Sequence, residues 1–166
     1  MKIEDDFLEE NIFDELQSFI MGANFSWYYN DVIDFDDDKN KYQFTHTFYR
    51  HNSPQSSYYN NLLAIIDKLG LYSIVGIKAS LLTKTQTIVQ NEFHVDNGYL
   101  SEEKLKQVTT SIFYVNTNNG YTEFEDGVKV ESIANRMVSF PANMKHTGTS
   151  CTDEKRRIII NFNYCK

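Results

Sequence analysis

The sequence has little proline, glycine and cysteine. Its 166 residues include only 2 Pro, 7 Gly and 2 Cys. So few Pro and Gly argue against flexible linkers and low-complexity tails, and the length is that of one domain, so we expect a single domain over residues 1–166. The two cysteines, Cys151 and Cys165, form no metal-binding pattern.

Long apolar runs and excess positive charge are also lacking. No stretch approaches the roughly 18 apolar residues of a membrane span, so we expect no membrane partner. The 16 Lys and Arg are outnumbered by 23 Asp and Glu, which gives a net charge of -7. An acidic surface repels nucleic-acid phosphates, so nucleic acid is disfavoured as a partner.

The acidic residues themselves suggest two further expectations. The first six residues are Met-Lys-Ile-Glu-Asp-Asp, which lack the apolar core of a signal peptide, and we therefore expect a cytoplasmic protein. The run Asp34-Phe35-Asp36-Asp37-Asp38 has the carboxylate alternation of a calcium-binding loop. It lacks the glycine and the later glutamate that such a loop needs, so a solvated acidic loop is the better interpretation.

Two helices are predicted in the first half of the chain. Apolar residues recur at helical spacing over residues 8–21, and Gly22 follows them. A second helix is predicted to begin at Ser53 and Pro54, since serine is a good N-cap and proline suits the first helical position. Gly70 is expected to end that helix.

Short alternating runs predict strands elsewhere. One is expected at residues 42–49, and seven follow Gly70, at residues 72–83, 88–94, 108–116, 121–124, 128–131, 136–140 and 156–164. Asp126-Gly127, between two of these runs, is typical of a hairpin turn. Helices followed by antiparallel strands predict an α+β, mainly β fold, with the helices packed on one side of a β-sandwich or barrel.

Three residues form a candidate metal site. His94 and Asp96 are two apart at the end of a predicted strand, so their side chains point to the same face. His146 follows 50 residues after Asp96, just beyond another predicted strand. Two imidazoles and one carboxylate on one face of an octahedron leave three positions open, the arrangement of non-haem iron(II) oxygenases. His-x-Asp by itself is common, and a strand histidine is often only structural.

A pair of arginines opens the last predicted strand. Arg157 lies 11 residues after His146. The planar guanidinium of an arginine binds a carboxylate with better geometry than the ammonium group of a lysine does. Alternation places Arg157, Ile159, Asn161 and Asn163 on one face of the strand, and Arg156 on the other. The polar character of the first face favours Arg157 as an anion-binding residue, although Arg156 remains open and a solvated charge pair is the plainer reading.

These motifs together resemble the 2-oxoglutarate oxygenase superfamily, most closely its prolyl-hydroxylase-like branch. The resemblance covers about residues 72–164 with order and spacing intact. Besides His94-Val95-Asp96-Asn97 and the strand that starts at the arginines, it rests on three segments: Ile112-Phe113-Tyr114-Val115-Asn116, Asn119-Gly120-Tyr121-Thr122-Glu123-Phe124 and Asn135-Arg136-Met137-Val138-Ser139-Phe140-Pro141. Tyr121 departs from the family, which often has a second glycine there. Small phage-encoded oxygenases of this branch are also similar over the N-terminal half.

The resemblance implies a fold and a site. The fold is a double-stranded β-helix, or jelly-roll, with two N-terminal helices that buttress one sheet. Iron(II) is held by His94, Asp96 and His146. The cosubstrate 2-oxoglutarate is bound through its distal carboxylate by Arg157 and Tyr114, and Asn161 is expected to lie in the same site.

The resemblance also implies an activity, which is the oxidation by dioxygen of an unactivated C–H bond. The expected substrate is a prolyl or other residue in a peptide. A free amino acid or small metabolite, and a non-catalytic jelly-roll that binds metal, remain as alternatives; a nucleic-acid demethylase is disfavoured by the charge. A phage-encoded enzyme would act in the host cytoplasm, and the oligomeric state is left open.

Overall fold

The computed structural model describes residues 1–33 and 41–166. The acidic run at Asp34–Asp38, read above as a solvated loop, lies outside the described residues. Strands dominate the described part of the chain. They are β1 Lys2–Glu4, β2 Tyr28–Asn30, β3 Gln43–Arg50, β4 Ser53–Pro54, β5 Ser73–Thr83, β6 Thr109–Tyr114, β7 Tyr121–Phe124, β8 Lys129–Glu131, β9 Arg136–Pro141, β10 His146–Gly148 and β11 Arg156–Cys165.

The helices are few and short. They are α1 Glu10–Met21, a 3₁₀-helix Ser57–Leu62, α2 Leu63–Leu69 and α3 Glu102–Leu105. Helix α2 ends at Gly70, whose φ of 60° is the left-handed conformation that glycine adopts without strain. None of the helices in residues 1–33 and 41–166 is long and apolar enough to cross a membrane.

The strands form two antiparallel sheets. The larger sheet has the order β1-β9-β6-β11-β5-β3-β2, with β4 paired to β3 at one side. The smaller sheet has the order β10-β7-β8. Strand β11 lies centrally and pairs with both β5 and β6. This arrangement is the predicted double-stranded β-helix.

The helices pack against the outer face of the larger sheet. Phe13, Leu16 and Ile20 of α1 and Ile65 of α2 are buried in one apolar cluster with the sheet. The sheet contributes residues that include Phe48, Ile77, Phe113, Ile158, Ile160 and Phe162. Burial of such side chains contributes roughly 1.5–3 kcal/mol each, so this layer is a main source of stability. The expected buttressing by N-terminal helices is confirmed.

The inner face of the larger sheet looks towards the smaller sheet. A second apolar cluster joins Ile112, Val138 and Phe140 of the larger sheet to Phe124 and Val130 of the smaller one. The hairpin between β7 and β8 turns at Gly127, whose φ is 86°, as the Asp126-Gly127 signal predicted. The cavity described below opens between the two sheets, beside this cluster.

Two sequence predictions are wrong. Ser53 and Pro54 do not start a helix; they form β4, which returns from β3 through His51 and Asn52, both at positive φ. The N-cap serine is Ser56, whose hydroxyl accepts a hydrogen bond from the backbone N–H of Tyr58. Residues 88–94 are not a strand, since they make only two isolated bridges, at Gln90 and His94.

Candidate active site

The predicted metal ligands converge on one point. Their ligand atoms all lie within 4.8 Å of one another. The Oδ1 atom of Asp96 is 3.7 Å from Nε2 of His94 and 3.7 Å from Nε2 of His146. The backbones of the two histidines exchange N–H···O hydrogen bonds of 3.0 Å in both directions. This isolated bridge places the imidazoles side by side although 52 residues separate them in sequence.

The two imidazoles are oriented as metal ligands. Nδ1 of His94 lies 3.0 Å from the carbonyl of Glu92, and Nδ1 of His146 lies 3.2 Å from the carbonyl of Met144. A carbonyl can only accept, so each Nδ1 carries a proton, and the remaining ring nitrogen, Nε2, faces Asp96. The same outer hydrogen bond fixes the tautomer and ring orientation of many metal-binding histidines.

The carboxylate is held in place from behind. Oδ2 of Asp96 accepts hydrogen bonds from Nδ2 of Asn161 at 2.8 Å and Nδ2 of Asn163 at 3.3 Å. Burial of Asp96 raises the pKa of its carboxyl, but the hydrogen bond from His94 and the nearby positive charges outweigh burial and hold the pKa well below its ordinary value. Asp96 is therefore ionised, with Oδ2 engaged and Oδ1 turned towards the imidazoles.

This donor set fits a divalent transition metal. Two imidazole nitrogens and one carboxylate oxygen suit iron(II) in a site that keeps further positions open. Because Oδ2 is occupied by two amides, Asp96 can offer only one oxygen. The residues that would hold the metal are His94, Asp96 and His146.

A buried arginine lies in the same cavity. Arg157 is 2% exposed, and its Nε donates to Ser132 Oγ at 2.8 Å and its Nη2 to Thr122 Oγ1 at 3.2 Å. Burial lowers the pKa of Arg157, but a guanidinium is still charged at neutral pH. In the part of the chain that the structure describes, no carboxylate forms an ion pair with it. A buried cation without a counter-ion is costly, so the site calls for an anionic ligand.

Three neighbours shape this basic end. A Cβ on Gly120 would lie 2.7 Å from Cδ of Arg157 and 2.6 Å from the carbonyl of Ser150, so only glycine fits there. Thr122 Oγ1 accepts from both Arg157 and the Tyr114 hydroxyl, the latter at 2.8 Å. A hydroxyl has one proton and two lone pairs, so Thr122 retains its proton to donate to a ligand.

Tyr114 lies behind Thr122. It is fully buried, and the Arg157 guanidinium carbon is 5.7 Å from the centre of its ring. Burial raises the pKa of Tyr114, so its hydroxyl stays protonated and donates. Tyr114 is not among the residues that line the cavity, so in this conformation it faces the arginine through Thr122.

The neighbouring arginine has a different position. Nη2 of Arg156 donates to the carbonyl of Met21, the last residue of α1, at 2.7 Å. A helix leaves its last carbonyls without helical partners, so this contact satisfies one of them. Of the two arginines, the structure places Arg157 in the cavity and Arg156 on the helical layer.

One cavity joins the two ends. His94, Asp96 and His146 line it together with Arg157, and Ile112, Ile159 and Leu82 line it as well. Asn161 also borders it, and its amide donates to Asp96 at the metal end.

Several residues of the site were missed by the sequence analysis. Thr122 lies in the segment of residues 119–124, which contributes to the family resemblance, but the sequence predicted no role for it. Ser132 and Lys78 gave no local signal, because each belongs to a strand or its flank and enters the site only through the fold. A single serine or lysine in an alternating run is ordinary.

Comparison with known proteins shows similarity in fold. No protein-family model matches the chain, and no curated protein sequence does. A prolyl-4-hydroxylase from Pseudomonas putida is 14% identical, with a TM-score of 0.61 over 99% of this chain and 92% of that one. A Trichoplax adhaerens prolyl hydroxylase, solved with a hypoxia inducible factor peptide, is 13% identical, with a TM-score of 0.69 over 99% and 82%.

A third similar structure has another activity. It is the non-heme alpha ketoglutarate dependent carbocyclase SnoK from nogalamycin biosynthesis, 11% identical, with a TM-score of 0.69 over 99% of this chain and 78% of that one. All three matches span nearly the whole of this chain. The chain therefore has the double-stranded β-helix fold of the 2-oxoglutarate- and iron(II)-dependent oxygenases, and is similar to their prolyl hydroxylases.

Proposed function

We propose that this protein is an iron(II)- and 2-oxoglutarate-dependent dioxygenase that hydroxylates an unactivated C–H bond in a peptide. The observation that carries the proposal is a single cavity with a His-Asp-His triad at one end and, at the other, a buried arginine that pairs with no carboxylate of residues 1–33 or 41–166. A protein that only binds a metal would not need the arginine, and a protein that only binds an anion would not need the triad. Residues 1–166 act as one domain in this proposal.

Each end of the cavity has a defined task. Bound iron(II) supplies the activation of dioxygen that is coupled to oxidation of 2-oxoglutarate. His94 and His146 present Nε2 to the metal, and the Asn161 and Asn163 amides keep Asp96 to one coordinating oxygen. Positions thus stay open for the cosubstrate and dioxygen.

The basic end recognises the distal carboxylate of the cosubstrate. Arg157 provides the charge, and its Nε and Nη2 bonds to Ser132 and Thr122 fix the plane of the guanidinium. Thr122 adds a hydroxyl donor, and Tyr114 holds Thr122 in that orientation. A dicarboxylate would place one carboxylate at the metal end and the other at Arg157.

Apolar side chains also line the cavity. Ile112, Ile159 and Leu82 would flank the carbon chain of the cosubstrate. Apolar walls exclude water from a reaction in which stray oxidation must be avoided, and they strengthen the ion pair with Arg157 by lowering the local dielectric. The protein thus contributes ligation, orientation and exclusion of water.

A peptide is the proposed substrate class. Support comes from the similarity to prolyl hydroxylases, one of them solved with a peptide. A free amino acid or small metabolite is the alternative, because the similar carbocyclase shows that the same fold carries a different activity. Both cysteines are unpaired, which is consistent with action in the reducing cytoplasm.

The triad provides the test of the proposal. His94→Ala and His146→Ala should abolish formation of succinate from 2-oxoglutarate and greatly weaken binding of iron(II), or of manganese(II) as a redox-stable substitute, measured by equilibrium titration. Both variants should keep the wild-type circular dichroism spectrum, because neither imidazole belongs to the apolar clusters of the core. His51→Ala, which removes an exposed histidine, is the matched control and should bind metal normally.

Two results would contradict this proposal. Wild-type succinate formation in either triad variant would show that the ligand assignment is wrong. Tight metal binding by the wild-type protein with no consumption of 2-oxoglutarate under any condition would identify a non-catalytic metal-binding jelly-roll.

A further inference from the structure

A second, larger cavity adjoins the metal site. It is a groove of about 660 Å³ between the β3–β4 hairpin, the first half of β5 and the loop that follows Asp96. Lys78, Asp96 and Asn161 border both this groove and the first cavity. A molecule in the groove would therefore lie next to the metal ligand Asp96. The proposed function assigns no role to this space.

The groove is positively charged although the protein is acidic. Arg50 and Lys78 line it, and neither forms an ion pair with a carboxylate of residues 1–33 or 41–166. Among the described residues that line the groove, Asp96 is the one carboxylate, and it is already engaged by Asn161, Asn163 and the histidines. On a chain of net charge -7, such a groove attracts anions that the remaining surface repels.

Lys78 has a fixed position at the junction of the two cavities. In the sheet it is directly opposite Asn161 of β11 on one side and Thr47 of β3 on the other. Side chains of directly opposed residues stand on the same face, about 5 Å apart at Cβ. Lys78 is therefore one strand away from the amide that binds Asp96, close to any substrate atom that lies beside the metal.

Two buried amide atoms lack partners beside the groove. Asn97 is 7% exposed, and its Nδ2 has no hydrogen-bond partner among the described residues. The same holds for Oδ1 of Asn161. Leaving a buried polar atom unpaired costs about 1–3 kcal/mol, so such atoms in a groove point to a ligand. One is a donor and the other an acceptor, which matches the C=O and N–H of a peptide backbone.

We propose that the groove binds the substrate as an acidic peptide, with the side-chain carboxylate of an Asp or Glu next to the oxidised residue bound by Lys78. Backbone groups of the same peptide pair with Asn97 and Asn161, and Arg50 at the hairpin attracts further negative charge. This inference rests on the proposed function and names the class of its substrate. A free amino acid shares the carboxylate but would leave most of the groove unfilled.

Binding of matched peptides tests the assignment. The probes are short fluorescein-labelled peptides with blocked ends and a central Pro flanked by Glu or, in the matched probe, by the neutral isostere Gln. Fluorescence anisotropy is measured on the protein loaded with manganese(II) and 2-oxoglutarate. We expect the Glu peptide to bind about tenfold tighter at low ionic strength, with the preference shrinking as salt is added.

Variants locate the preference. Lys78→Gln should remove most of the advantage of the Glu peptide and leave the Kd of the Gln peptide nearly unchanged. Lys2→Gln removes a cation from β1, at the edge of the sheet away from the groove, and should leave both Kd values unchanged. Equal binding of the two peptides, or a preference that survives Lys78→Gln, would overturn the assignment.

Two further experiments identify the molecule that carries the bound negative charge. Competition by free glutamate as effective as by the Glu peptide would show that the ligand is a free amino acid. Tighter binding of a phosphoserine peptide would replace the carboxylate by a phosphate. Either result would overturn the acidic-peptide assignment.

Succinate formation without peptide, assayed in parallel, separates this inference from the proposed function. If succinate forms but the peptides bind equally, the groove assignment fails and the reaction stands. If the Glu peptide binds selectively but no succinate forms, the groove assignment stands and the proposed reaction fails.

Discussion

The two faces of strand β11 differ in how they are held. On the outer face, Ile158, Ile160 and Phe162 are fully buried in the layer under the helices. On the inner face, Arg157, Asn161 and Asn163 make specific hydrogen bonds in and around the active-site cavity. Packing stabilises the first face, and polar contacts position the second. Substitutions on the two faces should therefore have separable effects, on stability outside and on ligand binding inside.

The largest expected effect is on the outer face. Phe162→Ala should lower the free energy of unfolding by about 3–5 kcal/mol, because it removes a fully buried ring and leaves a cavity. Urea denaturation measures the loss. Tyr72→Ala is the control, since Tyr72 is 89% exposed and its loss should change stability by less than about 0.5 kcal/mol. Equal stability of the two variants would mean that the helical layer does not support β11.

Arg157 tests the inner face. Arg157→Ala should raise the apparent 2-oxoglutarate constant by roughly 30-fold or more, since loss of a desolvated charge pair costs roughly 2–5 kcal/mol. Metal binding should change little. Arg157→Lys should restore only part of the affinity, because a point charge replaces a planar fork. Steady-state kinetics with varied 2-oxoglutarate measures each constant.

Arg156→Ala is the internal control for this comparison. It should keep a nearly normal 2-oxoglutarate constant and lose only its bond to the end of α1. A severe kinetic defect in Arg156→Ala together with a mild one in Arg157→Ala would show that the two faces of the strand have been assigned the wrong way round.

A smaller effect is expected at Tyr114. Tyr114→Phe removes the hydroxyl that orients Thr122 next to Arg157. Loss of one hydrogen bond in a charged cluster costs about 1.5–3 kcal/mol, so the apparent 2-oxoglutarate constant should rise about tenfold or more. Thr122→Val should raise it at least as much, because it removes the donor itself. An unchanged constant in Tyr114→Phe would place Tyr114 outside the cosubstrate site.

The smallest expected effect is a pH dependence away from both faces of β11. Burial lowers the pKa of His46, and a hydrogen bond to the Ser26 carbonyl only partly opposes it. The unfolded chain thus takes up a proton at higher pH than the folded one, so stability should fall as pH drops below about 6.5. Thermal unfolding from pH 7.5 to 5 measures this slope. His46→Gln should flatten it, and His51→Gln should not; a slope unchanged in His46→Gln would contradict the assignment.

The sequence predicted the outer face well. Residues 121–124 are a strand as expected, and the bounds of six other predicted strands agree within two residues. Alternation of apolar side chains is a local signal, and burial of one face enforces it. The fold class follows from these strands, and the resemblance supplied the jelly-roll.

Two local signals were overridden by the fold. Ser53-Pro54 has the chemistry of a helix start, but the two-residue turn at His51 and Asn52 returns the chain beside β3 and draws this pair into the sheet. Residues 88–94 are apolar at several positions, yet their backbone reaches a partner only at Gln90 and His94. In both segments the structure is decided by pairing with other parts of the chain. Such pairing cannot be recognised from a few neighbouring residues.

The site shows the same limit. His94, Asp96, His146 and Arg157 were nominated from spacing and resemblance, and the structure brings all four to one cavity. Asn161 was expected in the cosubstrate site; it borders the cavity, and its bond to Asp96 was not foreseen. Ser132 and Thr122 meet Arg157 across 25 and 35 residues of sequence. Hydrogen bonds of this kind depend on where the strands end. The alternation of apolar and polar residues does not determine those ends.

The position of β1 has a consequence for how the chain reaches this structure. Its central residue, Ile3, pairs with Val138 of β9, and the Asn135 side chain bonds both the N–H and the C=O of Leu8. Such contacts close a loop of most of the chain, so they gain stability only after the intervening strands are in place. During synthesis, β1 is made long before β9, so it cannot pair with its partner strand until most of the chain exists. We therefore expect β1 to dock late in folding, so that its loss speeds unfolding much more than it slows folding.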